Sequence, residues 1–345
     1  MSTIKDVARL ANVSVATVSR VMNNSPKASA ASREVVQKAM AELGYTPNAN
    51  ARALVSKTCD TMGVLVGDVA DPFFGALIKG VAAVAVEQGL HLLMGNGFHR
   101  AQQERESIDL LIGKRCEALV VHSKALSDEE LIDYALRVPG MVLINRDIPA
   151  LKGRCIALNN RQGAATATRH LLELGHRHIA FLSSDHAIED ATLRLQGYQD
   201  ALTEAGLRAD PELVESRMPN EEGGERAMLN LLAKGQPITA VVAYNDAMAA
   251  GAISVLADNG LKVPEEVSVV GFDDIIYARY LRPKLSTMRY PIELMAAQAA
   301  KLALQLAAQA AKLALQLAAG ESEAVQSRIY TPTLINRHSV APVRA

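Results

Sequence analysis

The sequence has no tryptophan, and aromatic residues make up only 4% of its 345 residues. Stacking on a flat ligand face must therefore rely on phenylalanine or tyrosine. Cysteine is also scarce. Cys59, Cys116 and Cys155 are odd in number and widely spaced, which suits a reducing cytoplasm and supplies no metal motif. There is no apolar N-terminal stretch with a cleavage site and no long uncharged apolar run, so neither a signal peptide nor a membrane span is expected. Enzyme signatures are missing as well. No Gly-x-Ser-x-Gly elbow or Walker phosphate loop occurs, and Gly95-Asn96-Gly97 fails as a dinucleotide fingerprint because Arg100 stands where the third glycine is needed. His176 and His178 frame Arg177 without a nearby Cys or carboxylate cluster, so a structural or capping role is expected for them, not a metal site. Neither an enzyme nor a bound cofactor is expected.

What is present is a basic head on an acidic body. Residues 1–58 carry Lys5, Arg9, Arg20, Lys27, Arg33, Lys38, Arg52 and Lys57 against Asp6, Glu34 and Glu42, while the whole chain has a net charge of −1. Such an asymmetry is an electrostatic footprint for phosphate. The head reads as three helices. Ile4–Leu10 places Ile4, Val7, Ala8 and Ala11 on one face, and Asn12-Val13 makes a tight turn. Ser14 can cap a helix over Val15–Met22, and Ser29 one over Ala30–Leu43. Two short helices joined by a turn, then a third, form either a helix-turn-helix, whose second helix enters the DNA major groove, or a plain helical bundle. The excess of positive charge favours the first.

From Met62 onward, apolar runs alternate with helical patterns. Strands are expected at Met62–Gly67, Leu90–Gly95, Ala118–Val121, Met141–Ile144 and Cys155–Leu158, with helices at Phe74–Gln88, Gln102–Lys114 and Asp128–Arg137. The pattern then repeats through helix Gln162–Leu174 and strand His178–Leu182 to strand Val267–Phe272. The expected fold is an all-α helix-turn-helix headpiece plus an α/β body of two doubly wound lobes. The expected boundaries are a headpiece over 1–46, a hinge helix and linker over 47–58, and a body over 59–345. Lobe 1 takes about 60–160 and 291–320; lobe 2 takes about 161–290 and 321–340. Open sheets of this kind bind ligands at the carboxyl ends of their strands.

The runs TIKDVARLANVSVATVSRVMN and YTPNANARAL resemble the headpiece of the lactose-repressor/galactose-repressor family. YNDAMAAGAISVL and VSVVGFDDIIYARYLRPKLST stand where the family has counterparts, YTPNANARAL, DPFFGALIKGV, GNGFH, VVHSKALSD, PGMVLINR and TPTLINRHSV are similar to its galactose branch, and the likeness runs essentially end to end. The resemblance implies a cytoplasmic, homodimeric repressor of galactose transport and catabolism genes, released from operator DNA by a sugar, D-galactose. A regulator answering to another sugar, or a pure sugar-binding protein, is the alternative. It also implies a body like the periplasmic sugar-binding proteins.

On DNA, the resemblance places Val15 and Ala16 at base-reading positions and has Arg20 reach a guanine edge. Thr3, Ser14, Thr17 and Asn23 would hold phosphates. The segment after Pro47, with Asn48 and Arg52, would be a hinge helix folding on DNA, and Leu54 would wedge a base step in the minor groove.

In the cleft, Asp273, Asn245 and Arg194 offer paired polar groups for vicinal hydroxyls, and Phe73 and Phe74 an apolar wall. Asp71, Asn96 and Arg146 are further candidates at strand ends; Arg146 could instead join the lobes, and Asp246 or Asp274 could cap the helix that follows. Asn159-Asn160 departs from the family, which usually shows an Asp first at that strand end.

Residues 296–306 read AAQAAKLALQL and residues 307–317 repeat them. Eleven residues turn three times plus about 20°, so the second copy keeps nearly the same helical face. One unbroken helix from about Ile292 to Ala319 is expected. Its second copy should overhang the lobe, exposing Leu313, Leu315 or Leu317, or else the connection to the strand segment Ile329–Leu334 must loop out.

Overall fold

The structure is a computed structural model that describes residues 2–22, 25, 27–45, 60–116, 118–315 and 328–343. The chain separates into two compact units, Met1–Asp60 and Thr61–Ala345.

The first unit holds α1 (Ile4–Leu10), α2 (Val15–Met22) and α3 (Ala30–Glu42). Thr3 and Asp6 form a capping box that starts α1: Thr3 Oγ1 receives the Asp6 N–H, and Asp6 receives the Thr3 N–H at 2.9 Å. Asn12 takes a positive φ of 52° in the turn, a conformation asparagine adopts more readily than most residues. Val7, Ala8, Val18, Val21, Val36 and Ala39 close a small core from all three helices.

The second unit has two lobes. In lobe 1, β1 (Thr61–Val66), α4 (Pro72–Glu87), β2 (His91–Asn96), α5 (Ala101–Gly113), β3 (Ala118–Val121), α6 (Asp128–Arg137), β4 (Gly140–Ile144) and β5 (Cys155–Leu158) alternate. In lobe 2 follow α7 (Asn160–Glu173), β6 (Ile179–Ser184), α8 (Glu189–Glu204), β7 (Val214–Arg217), α9 (Glu221–Ala233), β8 (Ala240–Ala243), α10 (Asp246–Asp258), β9 (Ser268–Asp273), α11 (Ile276–Tyr280) and β10 (Ser286–Arg289). The chain then returns to lobe 1 with α12 (Ile292–Leu315) and β11 (Arg328–Tyr330), and crosses last to β12 (Thr333–Ile335) in lobe 2.

The sheets run β11-β5-β4-β3-β1-β2 and β12-β10-β9-β8-β6-β7. All pairs are parallel except β10 with β12. In each sheet the strand order reverses beside the first strand, between β1 and β3 and between β6 and β8. Loops at such a switch point diverge and leave a crevice at the strand ends. Continuous apolar runs such as ALVV and GMVLI are fully buried, as parallel strands covered on both faces require.

Two expectations change here. Ile329–Leu334 is not one strand, and the last crossing does not fall near residue 320. Arg328–Tyr330 pairs with β5 in lobe 1, and Thr333–Ile335 pairs with β10 in lobe 2. Pro332 between them has no N–H to give a ladder, so the chain changes sheets there. The segment STMR of β10 is short and partly polar, which hid it among flanking prolines. Helix α12 is continuous through Leu315; residues 316–319 and the side chains of Leu313, Leu315 and Leu317 lie outside the described residues. Among the described residues, no helix is long and apolar enough to cross a membrane.

Candidate functional site

In the head, packing of Val18 and Val21 into the core turns the opposite face of α2 outward. Val15 is 42% exposed, and Ala16 and Arg20 are exposed beside it. Two small apolar side chains with an arginine one turn on can meet a thymine methyl and a guanine edge. Ser14 Oγ receives the Thr17 N–H at 3.1 Å and lies 2.9 Å from Thr17 Oγ1. That cap holds two hydroxyls at the helix start, where backbone N–H groups favour anions. Thr3 stands exposed at the start of α1. Asn23, Asn48, Arg52 and Leu54 lie outside the described residues.

In the body, a cavity of about 60 Å³ lies between the lobes, lined by residues at the ends of β1 to β4, β6, β8, β9 and β10. It brings together Asp71, Phe73, Phe74, Arg194, Asn245 and Asp273. Asp71, Phe73 and Phe74 share the turn from β1 into α4, Asn245 and Asp273 stand at the ends of β8 and β9, and Arg194 projects from within α8. Asp71 caps α4 by accepting the Phe73 N–H at 2.8 Å, and burial raises its carboxyl pKa. That cap fixes Phe73 and Phe74, whose rings meet edge to face at 5.2 Å and form the apolar wall with Tyr290, 4.9 Å from Phe73.

Arg194 is buried on the α8 side. Its guanidinium lies 3.7 Å from the Phe272 ring centre and 4.5 Å from that of Tyr244, donates to Asn160 Oδ1 at 2.9 Å, and stands 3.6 Å from Asp273 Oδ1. Asp273 and Asp274 both have positive φ, 109° and 60°, so the backbone is strained where β9 delivers its carboxylate. Burial pushes the Asp273 carboxyl well above the usual range, with Arg194 pulling the other way. Asn245 caps α10 through Met248 N at 2.9 Å and donates to Pro219 O at 2.8 Å, leaving one N–H and one lone pair for a ligand.

Arg146 is not brought to this cavity. It donates to Asp128 at 2.7 Å and to Ser123 O, both within lobe 1, so it is outside the lining of this cavity and its ion pair does not join the lobes. Asn96 ends β2 with its Oδ1 buried, outside the cavity lining. The helix-capping expectations for Asp246 and Asp274 also change. Asp246 receives Ile275 N–H and the Thr287 hydroxyl, and burial raises its pKa to about 7; Asp274 pairs with Arg289 and Arg337. Asn159 caps α7 by accepting Gln162 N–H at 3.0 Å. His176 bridges Thr239 and the Ala341 carbonyl, tying down the C-terminal tail.

The structure adds residues that sequence reasoning missed. Lys124 of lobe 1 meets Asp190 of lobe 2 at 2.8 Å, with side chains 2% and 7% exposed. Asn145 donates to the other Asp190 oxygen at 2.7 Å, and Asn160 approaches at 3.4 Å. His99, His122 and His186 also line the cavity. Their signal was their place after β2, β3 and β6, at the carboxyl ends of parallel strands. Among the described residues, buried polar atoms without a hydrogen-bond partner include His99 Nδ1, His122 Nδ1, Asp273 Oδ1 and Tyr290 OH, all from cavity-lining residues. Each such atom costs roughly 1–3 kcal/mol until something meets it.

Two family models match the chain. The model for bacterial regulatory proteins of the lacI family covers residues 3–48, and that for a periplasmic binding protein-like domain covers residues 168–340. The chain is 55% identical over 341 residues to the HTH-type transcriptional regulator GalR of Escherichia coli (strain K12), spanning 99% of this chain and 96% of that protein. In structure it is similar to the lac repressor dimer bound to operator and the anti-inducer ONPF, with a TM-score of 0.81, 26% identity and 99% of both chains covered. It is also similar to the transcriptional regulator CelR in complex with cellobiose, with a TM-score of 0.70 and 29% identity over 98% of this chain and 100% of that one.

Proposed function

This chain belongs to the lacI family of bacterial regulatory proteins, and we propose that it is a galactose-responsive repressor that binds operator DNA as a homodimer. The relative it matches over 96% of its length is an HTH-type transcriptional regulator. The observation that carries the reading is the cavity between the lobes. Its unpaired buried polar atoms beside a wall of Phe73, Phe74 and Tyr290 suit a small neutral polyol with one apolar face. The same chain presents Val15, Ala16 and Arg20 outward on a basic helix-turn-helix.

Two headpieces in a symmetric dimer match the two half-sites of a palindromic operator. Residues 46–59 tether each headpiece to β1, so lobe 1 carries the link to DNA. In this reading, Asn48, Arg52 and Leu54 fold against the minor groove when the lobes hold the two tethers together. Sugar binds the closed cleft better than the open one, rotates lobe 1 against lobe 2 and lowers operator affinity. By linkage, operator must weaken sugar binding by the same factor.

The test is operator binding titrated with D-galactose, D-fucose, lactose and ribose. D-Galactose should release the operator at lower concentration than lactose or ribose. Retention of operator at millimolar levels of all four would refute the sugar-responsive reading. Release by ribose or lactose at lower concentration would refute galactose as its inducer.

A further inference from the structure

His99, His122 and Phe74 form one packed group in lobe 1. The rings of His99 and His122 are 5.9 Å apart, and Phe74 stands 4.9 Å from His122 and 5.9 Å from His99. Gly67 makes the arrangement possible, since a Cβ there would fall 2.4 Å from His99 Nε2 and 2.6 Å from the Phe74 ring. Across the cleft, the His186 ring of lobe 2 lies 5.2 Å from that of His99. The packing fixes the rings, yet the Nδ1 atoms of His99 and His122 are buried with no hydrogen-bond partner. His122 is only 3% exposed. A buried imidazole nitrogen held rigid and unpaired is a group awaiting a partner. Among the described residues, no three His, Cys, Asp or Glu side chains are grouped to hold a metal ion, so these rings do not form a metal-ligand set.

We propose that His99 and His122 are specificity-determining residues that exchange hydrogen bonds with hydroxyls of the bound sugar, and that His186 closes over it from lobe 2. This rests on the sugar-responsive reading above and deepens it. The imidazoles must be uncharged to do this, because each needs an acceptor nitrogen as well as a donor. The charged groups facing them are Lys124 and Arg146 from the ends of β3 and β4, Asp68 after β1, and Asp185 and Asp190 of lobe 2. Burial outweighs the carboxylates and holds His99 down at about 4; it lowers His122 and His186 as well.

The sign follows. With the lobes apart, water reaches the rings and their pKa values return toward about 6.5. The closed, sugar-bound form then carries fewer protons than the open form. Sugar binding is therefore at full strength above about pH 6.5 and weakens as pH falls below it, by up to about tenfold per pH unit for each histidine that must lose a proton.

The experiment is calorimetry of D-galactose binding to the full-length protein at pH 7.5 and pH 5.5, for wild type, His99→Phe, His122→Phe and His122→Asn. Circular dichroism melts check that each variant is folded. Wild type should bind more weakly at pH 5.5. The Phe variants should lose about tenfold or more at pH 7.5, as expected for a hydrogen bond lost with its partner left buried. His122→Asn keeps a hydrogen-bonding end without a titrating one, so it should bind better than His122→Phe with a flatter pH response. Phe variants that bind like wild type with the same pH response overturn the proposal. If His122→Phe does not fold, an unchanged pH response in His122→Asn overturns the proposal for His122 alone. Should wild type bind none of D-galactose, D-fucose, lactose or ribose, the sugar-responsive reading falls and takes this one with it.

Discussion

Replacing Lys124 by methionine tests whether lobe closure depends on the buried pair that crosses the cleft. Asp190 is held from lobe 1 by Lys124 Nζ at 2.8 Å and by Asn145 Nδ2 at 2.7 Å. Both charged side chains are nearly inaccessible, at 2% and 7%, so solvent screening does little to soften the loss of one partner. Lys124→Met leaves the Asp190 carboxylate with amide donors only. Stranding a buried charge costs about 3–5 kcal/mol. That penalty applies to the closed form alone, because parted lobes expose Asp190 to water. If sugar binds the closed form, its affinity should fall about a hundredfold or more, taking about 1.4 kcal/mol per tenfold. Calorimetry with D-galactose reads this directly, and an operator gel-shift should show repression persisting at sugar concentrations that release wild type. The double replacement Lys124→Met with Asp190→Leu removes both charges and should recover much of the loss, since apolar substitutes for a buried pair are often neutral. A single variant within threefold of wild type would show that the pair does not govern closure.

Arg20→Ala should weaken operator binding by roughly 1–3 kcal/mol and relax the preference at one base position, read by selection on a randomised operator library. An unchanged base preference would remove Arg20 from base reading. Asp273→Asn keeps the shape of the cleft but turns one acceptor oxygen into a donor, so it should retain operator binding and lose roughly 1.5–3 kcal/mol of sugar affinity. Release of that variant at the wild-type galactose concentration would place Asp273 outside the site.

Local signals in the sequence reached far into the fold. The capping residues Ser14 and Ser29 sit where α2 and α3 of the head begin, because a cap is a contact between near neighbours. Runs such as ALVV read as buried strands because burial on both faces leaves no polar position. What stayed hidden depends on partners distant in the chain. STMR becomes β10 only because β9 and β12 flank it, and its own composition gives no strand signal. The candidate site divides in the same way. Asp71, Phe73, Asn245 and Asp273 could be found because each follows an apolar strand at a turn. Arg146 satisfies that rule too, yet its guanidinium pairs with Asp128 in its own lobe and it is not among the residues lining the cavity. Lys124, Asp190 and the three imidazoles acquire meaning only when two lobes, separated by 66 residues between Lys124 and Asp190, are set face to face.

The duplicated segment shows how a local rule and a tertiary limit meet in one helix. Both copies have the same intrinsic helix preference, and the observed helix runs from the first into the second without a break through Leu315. Their environments differ. In the first copy Ala296, Ala299 and Ala300 are fully buried against α4 and the lobe 1 sheet, and Gly80 of α4 lets the Glu293 carbonyl approach to 2.3 Å of where a Cβ would stand. In the second copy the equivalent positions are half-buried at Ala307 and Ala310 and exposed at Ala311. Since the extra copy rotates the helix by only about 20°, a change of face does not account for the lower burial of Ala307, Ala310 and Ala311. The first copy thus supplies packing that the described positions of the second, Ala307, Ala310 and Ala311, do not match. Deleting residues 307–317 should therefore leave operator binding and sugar release intact, and the thermal midpoint should not fall. A deletion variant that unfolds, or that fails to dimerise by analytical ultracentrifugation, would show that the second copy belongs to the core or to the subunit interface.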